Sequence, residues 1–422
     1  MGRKVLVIGG GGREHALVRA FAESETVDEV LCSPGNPGTA GVPGCRNVPA
    51  GDPDAIVEIA RSQSVDLVVP GPEAPLAEGL VDRLKAAGIP AFGPTASSAR
   101  LEASKGFAKD FMSRHGVATA AYRRCATIDD ARSALSQFGF PMVVKADGLA
   151  AGKGVIICAN PKEARAALDS LMTERSFGSA GDSVVLEECL SGWETSVIGI
   201  TDGSVFLEFP PARDHKRAGE GDVGPNTGGM GVVAPHPLVD DAVRRDIRMN
   251  IIEPTLEGLN VDSLGYPGFL FIGVMVTPRG AKCLEYNVRF GDPEAQALLP
   301  LFDGDLFSCL DAARNGRLEA VTPRWRGGAS CCVVLASEGY PAAPVTGRRI
   351  DGIEGAEAEG TRVDYAGVRE DGGVPVSDGG RVLGVTAVAD SPAAARAKAY
   401  RGLSRIRMEG GWYRRDIGGT DD

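Results

Sequence analysis

The stretch "PMVVKADGLAAGKGV", residues 141 to 155, joins a short apolar run to a loop that holds three glycines and two lysines. A short run rich in β-branched residues before a glycine loop predicts a strand that ends in a turn. Glycines allow backbone N–H groups to surround an anion, and the lysines add positive charge. Lys145 ends the strand, where a partly buried ammonium group is costly unless an anion lies near it. The segment therefore predicts a site for a polyanion.

This loop does not fit the P-loop of nucleoside triphosphatases. That motif reads GxxxxGK followed by Ser or Thr, whose hydroxyl binds magnesium. Here Gly148 and Gly152 are one residue too close, and Gly154 follows Lys153. What remains is a mobile glycine loop with Lys145 at its entry and Lys153 at its tip. We expect it to cover phosphates without supplying a metal ligand.

A third lysine points to the same anion. Lys105 follows Ser104, a good helix cap, and so occupies the first turn of a predicted helix. The helix dipole disfavours a cation there by less than ~1 kcal/mol. Three lysines around a common anion would offset that penalty.

The segment "LEYNVRFGDPE", residues 284 to 294, carries the predicted metal site. Glu285 and Asn287 are two positions apart on a strand and therefore project from one face. Their oxygens suit magnesium, which takes one or two protein ligands and completes its octahedron with phosphate and water. Arg289 continues that face and can fork onto a phosphoryl oxygen.

A strand-to-turn segment, "VVLEECLSGWE", indicates where a nucleotide base and ribose would lie. The strand ends in Glu187 and Glu188, and the backbone that follows offers hydrogen-bonding groups to an adenine edge. Glu194 is available for ribose hydroxyls. Taken singly, acidic residues at a strand end are usually solvated, so spacing alone leaves that alternative open.

The opening "VIGGGGREHAL" resembles a dinucleotide fingerprint but lacks its third glycine, because Glu14 or His15 stands there. A strand–loop–helix start can still hold a phosphate on its N–H groups, with Arg13 as a charged donor. Packing glycines in a tight turn are the alternative interpretation.

The order of patterns predicts three domains. Strands alternate with helices over the first hundred residues, including a helix "AEGLVDRLKAAG" at 77–88, and predict an open parallel α/β sheet in an N-terminal domain, 1–103. A central domain is expected over 104–316, with a mobile lobe at about 122–192, and a small α+β domain over 326–422. The segment 212–231 has hardly an apolar residue, which is typical of a functional or disordered loop.

Composition narrows the function classes. The net charge of −11 argues against nucleic-acid binding, because a phosphate backbone recruits basic surface. Nine cysteines at scattered spacings form no metal cluster or disulfide framework and indicate reduced thiols. The apolar runs are too short for a membrane span, and no leader precedes the first strand. We expect a cytoplasmic protein with small-molecule substrates.

Taken in order, "LEASKGFAKDFM", "VVKADGLAAGKGV", "VLEECLSGWETS", "DHKRAGEGDVGPNTGGMG" and "LEYNVRFGDPEAQ" resemble the ATP-grasp ligases. With "VIGGGGREHAL", "PGNPGTA" and "VPGPEAPLAEGL" ahead of them, the chain resembles the glycinamide ribonucleotide synthetase family over nearly its whole length. The resemblance implies an N-terminal open parallel α/β sheet, a central ATP-grasp fold of two α+β lobes and a small C-terminal α+β domain.

The resemblance also implies a reaction. ATP, glycine and 5-phosphoribosylamine would give glycinamide ribonucleotide, ADP and phosphate through glycyl phosphate, a step of purine biosynthesis. The implied cofactor is Mg²⁺ or Mn²⁺, with ATP as co-substrate. The implied assembly is a monomer or weak homodimer without nucleic-acid or membrane partners.

Site roles follow from the resemblance, position by position. The implied ATP-binding residues are Lys105, Lys145, Gly148, Gly152, Lys153, Gly154, Glu187, Glu188, Leu190 and Glu194. The implied catalytic residues are Arg289, Asp214 and Lys216, and the implied metal ligands are Glu285 and Asn287. The implied substrate-binding residues are Gly11, Gly12, Arg13, Glu14, Asn36, Glu73, His215, Arg217, Asn226, Thr227, Gly228 and Gly229. Arg213 departs from the family, which typically has Gln there.

Three rival hypotheses remain at this stage. The first is an ATP-grasp ligase that joins a different acid and amine. The second is a nicotinamide oxidoreductase built on the first strand–loop–helix, which the broken fingerprint disfavours. The third is an inactive nucleotide-binding module, which the intact lysines and metal pair disfavour.

Overall fold

The computed structural model describes residues 2–49, 52–149 and 154–419. Its N-terminal part is an open four-stranded parallel sheet with helices, as the alternating pattern predicts. Its elements are β1 (Arg3–Gly9), α1 (Gly12–Ala22), β2 (Val27–Pro34), α2 (Pro37–Ala40), β3 (Cys45–Asn47), α3 (Pro53–Ser62), β4 (Leu67–Pro70), α4 (Glu73–Ala77), α5 (Leu80–Ala86) and α6 (Ala96–Ala103). The strand order is β3-β2-β1-β4, so the glycine loop after β1 lies at the centre of the sheet.

The helix predicted over 77–88 is wrong at its start. Helix α4 ends at Ala77, and α5 begins at Leu80. Gly79 separates them with a φ of 82°, a left-handed conformation that an α-helix cannot continue through.

A separate antiparallel sheet forms the small lobe, in the order β5-β8-β6-β7. The elements leading into and forming it are α7 (Lys105–Arg114), β5 (Tyr122–Cys125), α8 (Ile128–Ala134), β6 (Met142–Ala146), β7 (Val155–Cys158), α9 (Pro161–Leu168) and β8 (Val184–Glu188). The predicted strand before the glycine loop is β6, which pairs with both β7 and β8. The lobe has a hydrophobic core of its own, built around Val144 and Leu186.

The second lobe is built on an antiparallel sheet in the order β10-β9-β15-β16. Its elements are β9 (Trp193–Thr201), β10 (Phe206–Glu208), α10 (Asp241–Ile247), α11 (Glu253–Val261), β15 (Gly268–Thr277), β16 (Gly280–Asn287), α12 (Glu294–Leu298) and α13 (Leu306–Arg314). The predicted hairpin is β15–β16, and Gly273 faces Glu285 across it. Two hydrophobic cores join this lobe to the N-terminal sheet.

The segment 212–231 is not the structureless loop that its composition indicates. It contains β11 (Arg213–Asp214), β12 (Arg217–Gly219) and β13 (Val223–Asn226), and it leads into β14 (Gly231–Ala234). Strands β12 and β13 pair with each other, and β11 pairs with β14. Its apolar support comes from the C-terminal part, because Met230 near the end of the segment and Val233 just after it pack in the core of that part.

The C-terminal part is α+β, as predicted. Its elements are β17 (Ala329–Ala336), β18 (Ile350–Asp351), α14 (Ile353–Ala358), β19 (Arg362–Tyr365), β20 (Val368–Asp371), β21 (Val374–Ser377), β22 (Arg381–Ala389), α15 (Pro392–Leu403) and β23 (Arg407–Met408). The main sheet has the order β11-β14-β17-β22-β19, so two strands from the central segment complete it. Helix α15 packs on β17 and β22.

Short 3₁₀ or π segments complete the helical elements: Leu135–Gln137, Asp169–Thr173, Gly178–Gly181, Arg248–Ile252, Leu299–Leu301 and Leu318–Ala320. Within the described ranges, no helix combines the length and apolar character that a bilayer span requires. The multidomain α/β and α+β class is confirmed, whereas the domain boundaries stay a prediction.

Candidate active site

A cleft of about 930 Å³ lies where the lobes and the terminal parts meet. Many of the predicted site residues line it: Arg13, Glu73, Lys105, Lys145, Gly148, Gly154, Glu187, Glu188, Leu190, Glu194, Asp214, Lys216, Arg217, Asn226, Thr227, Gly228, Glu285, Asn287 and Arg289. Gly152 and Lys153 lie outside the described residues. The folded chain thus brings motifs from the whole sequence to one cavity.

Two buried lysines share one carboxylate at the side of this cleft. Lys145 Nζ lies 2.9 Å from Glu187 Oε1, and Lys109 Nζ lies 2.9 Å from Glu187 Oε2. Burial tends to raise the pKa of Glu187, but the two lysines outweigh it and lower that pKa. The anion expected beside Lys145 is therefore partly internal. The triad keeps a net positive charge, since two ammonium groups face one carboxylate.

The triad bears on the predicted role of Glu187. Its side chain is 2% exposed and is ion-paired with both lysines, and a direct contact with adenosine stays a prediction. Burial works to lower the pKa of Lys145, and Glu187 reverses this and raises it. For Lys109 burial prevails, and its pKa is lowered. Sequence reasoning missed Lys109, although it follows Lys105 by four positions and so shares its helix face.

The glycine loop is tied to the start of α7. Lys105 Nζ donates to the Gly148 carbonyl oxygen at 2.9 Å. Asp147 Oδ1 accepts hydrogen bonds from the Ser104 hydroxyl at 2.8 Å and from the Gly106 N–H at 3.0 Å. The predicted cap is confirmed, because Ser104 also accepts from the Phe107 N–H. Burial lowers the pKa of Lys105, the largest influence on it.

Glu285 and Asn287 stand on the face of β16 that looks into the cleft. Burial tends to raise the pKa of Glu285, but positive charges outweigh it and lower that pKa; they belong to Lys216, Lys145, Lys105 and Arg289. Among the described residues no group of three or more His, Cys, Asp or Glu side chains is placed to hold a metal. The two oxygens fit a divalent ion that takes its other ligands from phosphate and water.

Arg289 is fixed by two carboxylates. Its Nη2 lies 2.9 Å from Glu102 Oε1, and its Nε lies 3.3 Å from Glu73 Oε2. Burial tends to lower the pKa of Arg289, but the Glu102 and Glu73 carboxylates outweigh it and raise that pKa. Glu102, which sequence reasoning missed, also accepts from the Val288 N–H at 2.9 Å and so fixes the backbone beside Asn287.

The substrate loop brings opposite charges to the cleft. Lys216 Nζ lies 2.8 Å from Glu194 Oε2 and thereby links the loop to β9. Asp214 Oδ1 is buried and accepts no hydrogen bond from the described residues. Burial raises the pKa of Asp214 well above its usual value, and the Glu294 carboxylate raises it further. Glu294, to which the sequence motif assigns no role, accepts from the Ser196 hydroxyl at 3.0 Å.

The N-terminal glycine loop is braced by its own predicted residues. Glu14 Oε2 accepts from the Gly11 N–H at 2.7 Å, and Glu14 Oε1 pairs with Arg13 Nε at 2.6 Å. Asn36 Nδ2 donates to the Gly10 carbonyl oxygen at 2.9 Å and to the Tyr365 carbonyl oxygen at 2.8 Å. Only Arg13 of these lines the cleft.

Some predicted substrate-binding residues do not line the cleft. They are Gly11, Gly12, Glu14, Asn36, His215 and Gly229, none of which is among its lining residues. The His215 ring Nδ1 lies 3.2 Å from the Gly231 carbonyl oxygen, and burial lowers the pKa of His215 to about 4. Direct substrate contacts from these residues stay a prediction, and their observed contacts support the loops around the cleft.

One side chain comes from the C-terminal part. Arg381 at the start of β22 lines the cleft beside Asp292, and no sequence motif assigns a role to either residue. Their partners are distant in sequence, so spacing carries no signal for them.

Family descriptions match consecutive parts of the chain. "Phosphoribosylglycinamide synthetase, N domain" matches residues 3–102, the "ATP-grasp (A) domain" matches 103–295 and the "C domain" matches 330–420. A phosphoribosylamine–glycine ligase of Chlorobaculum tepidum is 47% identical over 421 residues, 98% of this chain and 99% of that protein. The trifunctional purine biosynthetic protein adenosine-3 of Homo sapiens is 43% identical over 422 residues, 99% of this chain and 42% of that longer protein.

Solved structures are also similar to this chain. The crystal structure of phosphoribosylamine–glycine ligase from Thermotoga maritima is similar with a TM-score of 0.85 and 35% identity, covering 98% of this chain and 100% of that one. The biotin carboxylase domain of a Hydrogenobacter thermophilus 2-oxoglutarate carboxylase has a TM-score of 0.73 at 17% identity, covering 98% and 92%, and shows a likeness of fold alone.

Proposed function

This chain belongs to the phosphoribosylglycinamide synthetase family, and on that basis we propose that it is a phosphoribosylamine–glycine ligase. It joins glycine to 5-phosphoribosylamine while ATP becomes ADP and phosphate. One observation supports this most: positive charges from three lysines and Arg289 converge on Glu285 in a single cleft. Such a convergence suits a triphosphate and a divalent ion at the same place.

The chemistry needs activation of an unreactive acid. A glycine carboxylate oxygen attacks the γ-phosphorus of ATP, the bond to ADP breaks, and glycyl phosphate forms. The amine nitrogen of phosphoribosylamine then attacks the carbonyl carbon, phosphate leaves and the nitrogen loses a proton. No protein nucleophile is required, so catalysis rests on positioning and on charge neutralisation.

The nucleotide would lie along the small lobe. Lys105 and Lys145 would meet its phosphates, under the glycine loop of Gly148, Gly152, Lys153 and Gly154. The adenosine would lie along Glu188, Leu190 and Glu194. The Glu187 side chain is paired with two lysines, and its backbone lies in β8 between β5 and β6, so Glu187 would support the nucleotide site through those lysines.

Glu285 and Asn287 would hold the divalent ion, Mg²⁺ or Mn²⁺. When bound, such an ion neutralises charge on the phosphoryl oxygens. Arg289 is fixed by Glu73 and Glu102 with its guanidinium at the cleft wall, where it can bind the transferred phosphoryl group. Asp214 and Lys216 also line the cleft, and in this proposal they would lie at its amino-acid end.

The two remaining substrates would approach from opposite loops. Glycine would lie under Asp214, Lys216, Arg217 and the stretch 226–229. Phosphoribosylamine would lie toward Arg13 and Glu73, with the glycine loop after β1 behind them. The protein would work in the cytoplasm as a monomer or weak homodimer.

A product assay tests the proposal. Glycine and 5-phosphoribosylamine with ATP should release phosphate and yield glycinamide ribonucleotide, and other acid–amine pairs should give far slower turnover. Comparable turnover with unrelated pairs would favour the rival ATP-grasp ligase. With ATP and glycine alone, hydroxylamine should trap glycyl hydroxamate.

The metal assignment has its own test. Glu285→Gln keeps the side-chain size but removes the charge, and we expect a loss of kcat of about 100-fold or more. The same variant should require more Mg²⁺ for half-maximal rate, whereas Lys282→Gln on the same strand should not. Chelation of divalent ions should stop the wild-type reaction. An unchanged metal requirement in Glu285→Gln would show the assignment wrong.

A further inference from the structure

Arg381 reaches from the C-terminal sheet into the cleft and binds two separate loops. Its Nη1 donates to the Gly228 carbonyl oxygen at 2.6 Å and to the Asp292 carbonyl oxygen at 2.7 Å. Its Nη2 lies 3.3 Å from Asp292 Oδ2. Hydrogen bonds from an ionised donor are stronger than neutral ones, and the planar guanidinium can serve several acceptors at fixed angles.

Gly228 is held from both sides by the C-terminal part. Its N–H donates to the Tyr340 hydroxyl at 3.1 Å, while its carbonyl oxygen accepts from Arg381. The guanidinium lies directly against it, since a Cβ added at Gly228 would be 2.8 Å from Arg381 Cζ. The position of this loop is thus determined by two side chains that lie more than a hundred residues away in sequence.

The position of the 228–229 backbone affects the amino-acid side of the cleft. At the next residue, Gly229, an added Cβ would lie 2.7 Å from Asp214 Oδ1 and 2.6 Å from Pro293 Cδ. Backbone movement at Gly228 therefore displaces Asp214, whose Oδ1 is buried without a partner among the described residues. Asp292 extends the network, because Gln296 Nε2 donates to its Oδ1 at 2.8 Å.

We propose that Arg381 is a positioning residue, through which the C-terminal domain sets the geometry of the amino-acid subsite. This rests on the proposed function, with glycine placed beside Asp214 and Gly228. Arg381 holds the 228–229 backbone and Asp292 in register, and loss of that register displaces the carboxylate that is to be phosphorylated. The nucleotide lysines have other partners, since Lys145 on β6 pairs with Glu187 and Lys105 at the start of α7 donates to the Gly148 carbonyl oxygen.

Arg381→Met tests this proposal, because it removes the donors and keeps much of the length. We expect kcat/KM for glycine to fall by about 100-fold, the effect of a misplacement of about 1 Å. The Kd of a non-hydrolysable ATP analogue should stay within twofold of wild type. Arg381→Lys keeps the charge but has one nitrogen in place of the two that make these contacts, so it cannot serve the two carbonyls and the Asp292 carboxylate with the same geometry, and it should recover part of the loss. Tyr340→Phe should raise the glycine KM about fivefold, as one neutral hydrogen bond allows.

Arg396→Met is the matched control. Arg396 also donates to backbone carbonyls, those of Ile417 at 3.0 Å and Arg415 at 2.7 Å, but it does not line the cleft. It should lower the thermal midpoint like Arg381→Met while leaving the glycine KM unchanged. Equal kinetic effects in the two variants would overturn the proposal, and so would a wild-type glycine kcat/KM in a folded Arg381→Met. Failure of the wild type to form the product would instead overturn the proposed function.

Discussion

Glu187 shows how a single residue organises the nucleotide side of the cleft. It is nearly fully buried and lies within 2.9 Å of two ammonium groups, Lys109 and Lys145. Neither lysine could remain charged at that depth without a counter-charge. Lys109 is fixed further by the Thr119 hydroxyl at 2.8 Å. Lys145 is therefore held in place before any nucleotide arrives, which is the preorganisation that phosphate binding benefits from.

Glu187→Gln should be strongly destabilising. It leaves two buried ammonium groups without their shared carboxylate, and breaking a buried ion pair costs about 3–5 kcal/mol. Unfolding by urea, followed by circular dichroism, measures this loss. The neighbouring Glu188→Gln is the control, because Glu188 is half-buried and should cost well under half as much. Equal losses in the two variants would show that the triad does not stabilise the lobe.

At the scale of elements, the substrate loop owes its shape to one glycine that must be a glycine. Gly229 has a φ of 110°, which side-chain-bearing residues rarely adopt, and an added Cβ would collide with Pro293 and Asp214. Gly221 in the same segment has a φ of 72° but no atom within 4 Å of an added Cβ. The pair separates backbone strain from steric displacement.

Gly229→Ala should lower kcat/KM for glycine by about 100-fold, because the clash moves Asp214. Gly221→Ala also places an alanine at a positive φ, without a clash, and should keep near-wild-type kinetics. Steady-state rates at varied glycine concentration measure both. If Gly221→Ala loses as much as Gly229→Ala, strain alone controls the loop.

A second element-scale feature is the buried contact between α1 and β19. Asp364 on β19 lies 3.4 Å from Arg19 Nε and 4.0 Å from His15 Nδ1. Burial raises the pKa of Asp364 to about 7, although Arg19 opposes this. His15 Nδ1 accepts from the Tyr365 N–H at 2.9 Å, and burial lowers the pKa of His15 well below its usual value. The contact therefore favours a neutral His15 and an uncharged Asp364.

This contact predicts a pH dependence of stability. The unfolded Asp364 loses its proton near pH 4, whereas the folded one keeps it to about pH 7. Asp364 therefore contributes stability that declines as pH rises between these values, by at most about 1.4 kcal/mol per pH unit. Asp364→Asn cannot ionise, so its thermal midpoint relative to wild type should rise from pH 5 to pH 8. The exposed Asp351→Asn should show no such trend; a constant difference for Asp364→Asn would contradict the prediction.

At the scale of the whole molecule, the C-terminal part is continuous with the substrate loop. Strand β14 pairs with β17 along four residues, Gly231 to Ala234, and Met230 and Val233 pack in the C-terminal core. The small lobe, in contrast, has its own core. The C-terminal part thus supports both the fold and the cleft.

A chain ending at residue 325 should therefore be poorly soluble. It would leave β14 as an unpaired edge and expose the apolar side chains beside it, and exposed edges promote aggregation. Size-exclusion chromatography after expression measures the soluble fraction, and co-expression of 326–422 should restore part of it. A monomeric, active 1–325 protein would contradict the argument.

The motifs were readable from sequence because their signal is local. Glu285 and Asn287 lie on one strand, so their shared face follows from a period of two, and Arg289 follows two residues after the strand ends. The strand before the glycine loop and the cap at Ser104 also follow from residues next to each other in sequence. The helix predicted at 77–88 was wrong at its start because the left-handed Gly79 separates α4 from α5. The strands of 212–231 were missed because their apolar partners lie in another part of the chain.

The sequence by itself determined the family, the fold class and the residue types that face a triphosphate, since these depend on neighbours a few positions apart. Only the tertiary structure decided which charges meet: Glu187 with two lysines, Glu102 with Arg289, and Arg381 with Gly228 and Asp292. The reason is physical. The energy of a buried charge depends on distance and on exclusion of water, and both are properties of the folded chain.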